Sequence, residues 1–217
     1  MNRRALVIGT IAAAVGIFSL GAWLVQQNQP EPLAAPAVSD GTPLVRPYAP
    51  IIGEESAPVT IVEFFDPACE ACRAFHPIVK SILDEHPGQV RVVLRYAAFH
   101  HGSDEAVKIL EAARLQDMFE PVMEALLEAQ PQWANHGAPQ IDLAWKAAAE
   151  AGLDVTAARA VMDDPEIVRI LEQDAADVQA VGVKQTPTFF VDGRPMMRFG
   201  ADELREMVKS QVEAKGT

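Results

Sequence analysis

Hydrophobic and polar positions change their period several times along this chain, and each change predicts an element. Ala5 to Val25 is an uncharged run of 21 residues, long enough as a helix to span about 31 Å, the thickness of a bilayer's hydrocarbon core. From Gln26 to Pro50 the pattern is broken by Pro30, Pro32, Pro36, Pro43, Pro47 and Pro50, which predicts an extended linker. Val59 to Phe65 is apolar, β-branched and aromatic, interrupted only by Thr60 and Glu63, and suits a buried strand. Cys72, Phe75, Ile78, Val79, Ile82 and Leu83 then recur at helical spacing within 71–86, with a kink expected at Pro77. Gln89 to Phe99 returns to a strand pattern, so the order strand, helix, strand predicts parallel pairing through a right-handed crossover.

Residues 103 to about 181 read as a block of helices, with Leu110, Ala113, Phe119, Val122, Met123, Leu126 and Leu127 as apolar faces and a break at 131–139. Further helices are expected at 141–151, 155–162 and 165–181, the last with Pro165 at its first position. The strand period returns at Thr188 to Val191 and Met196 to Phe199, which flank Asp192-Gly193, a strong tight-hairpin signal. A last helix is expected from Asp202 to Ala214, capped by Asp202. The 51–217 region is therefore an α/β domain carrying a helical insertion at about 103–181.

Composition supports a packed core, since 49% of residues are hydrophobic and 22% charged. A formal charge of −12 argues against nucleic acid, because phosphate binding needs clustered Lys and Arg; acidity of this size mainly serves solubility. Arg3 and Arg4 precede the apolar run, which predicts an N-terminal anchor over 1–25 with the domain outside the cytoplasm. A cleaved signal peptide is the alternative, given Ala35-Pro36-Ala37, although that triplet lies about ten residues past a long apolar run. Either way the domain is expected where disulfides persist.

That compartment bears on the chain's two cysteines, Cys69 and Cys72. Cysteines three apart close too small a ring to constrain the unfolded chain, so a structural staple explains them poorly. One Cys-x-x-Cys is also half of a four-thiolate zinc site, and no second half exists. Thiol–disulfide exchange at a helix start is the reading that remains. His76, one turn beyond Cys72, makes a Cys-Cys-His metal site conceivable but lacks a fourth ligand. His100 and His101 are expected in a loop near the site, and Trp133 and Trp145 in the core rather than at substrate.

Val62 to Phe65, Cys69-Glu70-Ala71-Cys72, Thr186 to Val191 and Asp192-Gly193, in this order, resemble the DsbA-like disulfide oxidoreductases, with a thioredoxin-like fold interrupted by a helical subdomain. The resemblance implies that Cys69 is the exposed nucleophile and Cys72 the buried resolving thiol. It implies that Pro187 is a cis-proline beside the dithiol, that Thr186 offers main-chain groups to substrate, and that Glu63 is a buried acid assisting proton transfer. The dipeptide Glu70-Ala71 tunes the couple. Glu70 departs from strongly oxidising members, which carry a histidine nearby, and a carboxylate there opposes the thiolate and shifts the couple toward reductase or isomerase work. Thr186 points the same way, toward the isomerase and copper-tolerance branch. The expected protein is a periplasm-facing, inner-membrane-anchored monomer acting on cysteine-containing substrate proteins, recycled by a membrane redox partner, with no bound cofactor or metal. The alternatives are an isomerase or reductase kept reduced by a membrane donor, and a thiol protein holding copper(I).

Overall fold

The computed structural model describes residues 44–135 and 137–216. The expected anchor at 1–25, and the linker as far as Pro43, lie outside the described residues. Among those described, no helix is long and apolar enough to cross a membrane.

A five-stranded sheet has the order β1-β3-β2-β4-β5. At its centre β2 (Val59–Phe65) is buried along almost its whole length, as a strand covered on both faces must be. It pairs in parallel with β3 (Val90–Tyr96) and antiparallel with β4 (Thr188–Val191), so Glu63 lies opposite Leu94 on one side and Phe189 on the other. The outer strand β1 (Ile51–Gly53) runs antiparallel to β3; three residues are too few to register as a period in sequence. At the other edge β5 is only Arg194–Pro195. Asp192 and Gly193 both have positive φ, 47° and 78°, the conformation that a two-residue hairpin matched to strand twist requires. The strand expected at Met196 to Phe199 does not form. Met196 N still donates to Phe189 O at 2.9 Å, after which Met197 and Phe199 turn outward and are exposed.

Side-chain alternation divides the core between the two faces of the sheet. Val62, Phe64, Val93 and Phe190 pack with Val178 and Val181 of a long helix, whereas Ile61, Phe65, Val92, Leu94 and Phe189 pack with the remaining helices. Glu63 shares its parity with Ile61 and Phe65, so it points into the second layer. There α1 (Glu70–Glu85) buries Cys72, Phe75, Val79 and Ile82, a single stripe of the helix. Pro77 lies on its exposed side, where water can serve the carbonyl that the proline leaves without a donor.

Between β3 and β4 the chain inserts α2 (Ser103–Arg114), α3 (Phe119–Trp133), α4 (Ile141–Glu150), α5 (Val155–Ala160) and α6 (Pro165–Val181). The break expected from residue 131 starts later, because α3 continues through Pro131 to Trp133. The Trp133 indole donates to Leu126 O at 2.8 Å and so ties the last turn of the helix back onto the turn before the proline. Trp133 and Trp145 are both buried, as packing residues. The closing helix α7 (Ala201–Lys215) has Gly200, not Asp202, at its N-cap; Asp202 lies in the first turn.

Leu44 to Pro50, assigned to the linker by its prolines, is pinned to the domain. Arg46 makes a forked pair with Asp177 at 2.8 and 2.7 Å, and the Tyr48 hydroxyl donates to Asp174 at 2.6 Å. Fully buried Arg95 joins these groups, donating to Asp174 at 2.6 Å, Asp177 at 2.5 Å and Leu44 O at 2.7 Å.

Candidate active site

The site begins where β2 ends. Asp66 is completely buried, and its carboxylate accepts hydrogen bonds from Ala68 N (2.9 Å), Phe99 N (2.8 Å), His100 N (3.1 Å) and Ser103 Oγ (2.5 Å). His100 Nδ1 lies 2.7 Å from the same carboxylate. Cys69 N donates to Asp66 O at 3.0 Å. These bonds fold Asp66-Pro67-Ala68 into a turn and tie it to the loop before α2, leaving Cys69 as the N-cap of α1. From the opposite side, Gln130 of α3 donates to Pro67 O at 2.8 Å and Cys69 O at 3.0 Å.

Cys69 and Cys72 are free thiols in very different settings. Cys69 keeps 7% of its surface exposed and Cys72 none. Ionisation of Cys69 is favoured down to about 5, first by a hydrogen bond from the Cys72 thiol, against the opposing effect of burial, and further by Thr186 and by the backbone N–H groups of Cys72 and Ala71. Those N–H groups are the unpaired donors of a helix start. As a neutral thiol Cys69 donates to Thr186 O at 3.2 Å, while the buried Thr186 hydroxyl has no hydrogen-bond partner beside that form and serves the ionised one. Burial, then the neighbouring Cys69, drive Cys72 in the opposite direction, holding it as a thiol. Asp66 N donates to its sulfur at 3.4 Å.

The Thr186–Pro187 peptide is cis, and Thr186 lies against Cys69 through its carbonyl. Glu63 is 4% exposed. Burial first, and then the charge on Cys69, raise its pKa to about 8. It borders a cavity of about 220 Å³, also lined by His76, Lys80, Leu94, Met123 and Glu124. His76 is therefore placed near the acid: its Nε2 is buried without a hydrogen-bond partner, 4.0 Å from Glu124, and burial lowers its pKa. His100 is joined to the turn by Asp66, whereas His101 is exposed. Glu70, exposed at the first position of α1, is not among the principal groups acting on Cys69; Ala71 is, through its backbone. Among the described residues no group of three or more His, Cys, Asp or Glu side chains is arranged to hold a metal ion.

Sequence reasoning passed over Asp66 and Gln130. The first is visible as an acid in the residue run leading to Cys69. Nothing local marks the second, which arrives from a helix 61 residues further along the chain.

An acidic thiol at a helix start, a buried partner, a buried carboxyl and a cis-proline on this sheet form a site equipped for thiol–disulfide exchange. The chain belongs to the thioredoxin family, whose sequence model matches residues 46–210. Part of the Na(+)/H(+) antiporter NhaA of Herminiimonas arsenicoxydans is 33% identical to it over 144 residues, 66% of this chain and 22% of that protein. Disulfide bond formation protein D of Bacillus subtilis is 27% identical over 179 residues, 76% of this chain and 78% of that protein. The chain thus spans less than a third of the antiporter relatives it matches. A thioredoxin-like oxidoreductase from Silicibacter pomeroyi superposes with a TM-score of 0.69 at 28% identity, covering 83% of this chain and 99% of that one. The α-DsbA1 of Wolbachia pipientis shares the fold, with a TM-score of 0.69 at 16% identity over 78% of this chain and 94% of that one.

Proposed function

We propose that this chain is an exported, membrane-anchored thiol–disulfide oxidoreductase that exchanges disulfides with cysteine-containing proteins. The observation that carries the reading is the asymmetry of the dithiol, in which Cys69 ionises near 5 while Cys72 is held as a buried thiol. In oxidation, a substrate thiolate attacks Cys69 Sγ of the Cys69–Cys72 disulfide, and Cys72 leaves and takes up a proton. A second substrate thiolate then attacks the substrate sulfur of the mixed disulfide, forming the substrate disulfide and releasing Cys69 as a thiolate. A thiolate of low basicity is a good leaving group. In the reverse direction the mixed disulfide carries no charge on Cys69, which relieves one cause of the raised Glu63 pKa, and ionised Glu63 accepts the proton that Cys72 must lose before it attacks.

A stabilised Cys69 thiolate stabilises the reduced protein and so makes the disulfide a better oxidant. This favours thiol oxidation of substrates, the reverse of what Glu70 suggested, because contacts closer to the sulfur outweigh an exposed carboxylate. Exposed Phe99, Met197 and Phe199 support a protein substrate. Phe99 is tied to Asp66, and Phe199 lies 4.7 Å from the ring of Phe75, one turn beyond Cys72. Export, anchoring through 1–25 and recycling by a membrane redox partner rest on the sequence pattern. The experiment is Cys69→Ser assayed for oxidation of a reduced, unfolded protein: loss of turnover is expected, and unchanged turnover refutes the function.

A further inference from the structure

We infer that Gln130 is a positioning residue for this chemistry, the point at which the helical insertion holds the Cys69 turn in its reactive geometry by neutralising two of its backbone carbonyls. The inference rests on the exchange function proposed above and assigns a role to a residue outside the dithiol, the cis-proline turn and the buried acid.

Gln130 is 1% exposed. Both of its N–H bonds are directed to carbonyls of one turn, Pro67 O at 2.8 Å and Cys69 O at 3.0 Å. Its orientation is fixed, since the flipped amide would set an oxygen against two carbonyl oxygens. The consequence is that Gln130 Oε1 is buried without any partner. A buried polar atom left unpaired is costly, and leucine or methionine would fill the same space without that cost. The amide therefore stays for what its nitrogen does.

Within the turn, Asp66 already serves the N–H groups of Ala68 and Cys69, and Arg73 N reaches Cys69 O at 3.1 Å. Gln130 serves the carbonyl of Pro67 and adds a second donor to that of Cys69. Carbonyl oxygens beside a sulfur oppose its ionisation, and a donor placed on them withdraws that opposition. The same two bonds fix the turn between β2 and α1, and with it the approach of Cys69 to Cys72 that a disulfide requires. Asp66 holds the turn from the α2 side and Gln130 from α3, so the insertion grips the redox centre from two directions.

The test is Gln130→Met, which keeps the side-chain volume while removing both donors and the orphaned acceptor. Thiolate absorbance at 240 nm is titrated, and equilibrium with glutathione is measured, on wild type and variant. The variant is expected to show an acid dissociation constant of Cys69 about tenfold lower. Its equilibrium should move about tenfold toward the protein disulfide, ~30 mV for this two-electron couple. A folded variant with wild-type titration and equilibrium overturns the inference, including when only its melting temperature falls. Gln130→Leu, judged by the same two readouts, stands in if the methionine variant does not fold. Absence of exchange with glutathione in wild type counts against the function itself; exchange in wild type with an unshifted variant counts against Gln130 alone.

Discussion

Replacing Glu63 by glutamine should stabilise this protein, and by an amount that grows with pH. The folded chain holds the Glu63 proton until about 8, whereas the carboxyl's ordinary value is 4.5. Below 4.5 both the folded and unfolded chains carry the proton and the burial costs nothing extra. Between 4.5 and 8 the unfolded chain is ionised and the folded one is not, so folding takes up a proton and stability falls as pH rises. Each pH unit is worth ~1.4 kcal/mol, so the loss is about 3 kcal/mol by pH 7 and about 5 kcal/mol at and above pH 8. The glutamine variant has no carboxyl proton to lose and should abolish that slope. Oxidation removes the Cys69 charge, the second cause of the raised value, so in the disulfide form the fall should end at a lower pH and its total should be smaller. Urea denaturation of wild type and Glu63→Gln at pH 5, 7 and 8.5, reduced and oxidised, provides the check. A stability difference that does not change with pH would refute the reasoning.

Three further outcomes follow from Cys69 and from the buried Arg95 network. Alkylation of Cys69 by iodoacetamide should rise with pH to a half-maximum near 5, with Cys72 inert; a half-maximum near the ordinary ~8.5 of a free thiol would remove the basis for an activated nucleophile. Because this pKa is lowered by folding, its contribution to the stability of the reduced protein is present at high pH and is lost as pH falls through about 5. Asp174→Ala strips Arg95, Tyr48 and Tyr96 N of an acceptor inside the core, and breaking a buried pair costs ~3–5 kcal/mol. Denaturant midpoints measure it, and a loss under ~1 kcal/mol would mean that water or Asp177 takes over.

Much of the scaffold is legible along the chain, because its determinants are local. The apolar, β-branched run at 59–65, the helical stripe through Cys72, Phe75, Val79 and Ile82, and Asp192-Gly193 each depend on neighbours a few residues away. The misreadings occurred where a distant group overrode the local signal. Pro131 reads as a break, but Trp133 and the packing around it carry α3 onward. The prolines of 44–50 read as linker, but Arg95, Asp174 and Asp177 pin them. Met196 to Phe199 has a strand pattern, but only Met196 finds a partner in the sheet.

Along the chain alone, one dithiol stands at the junction of a strand and a helix, with an acid six residues upstream and a Thr-Pro far downstream. Those are facts of spacing, and spacing suffices to identify the redox chemistry. Folding sets how reactive each group is: which sulfur ionises, that Glu63 holds its proton, and that Asp66 and Gln130 brace the turn. Acidity depends on burial and on hydrogen bonds made by groups such as the Thr186 hydroxyl and Gln130 Nε2, brought to the Cys69 turn from distant parts of the domain only when the chain folds.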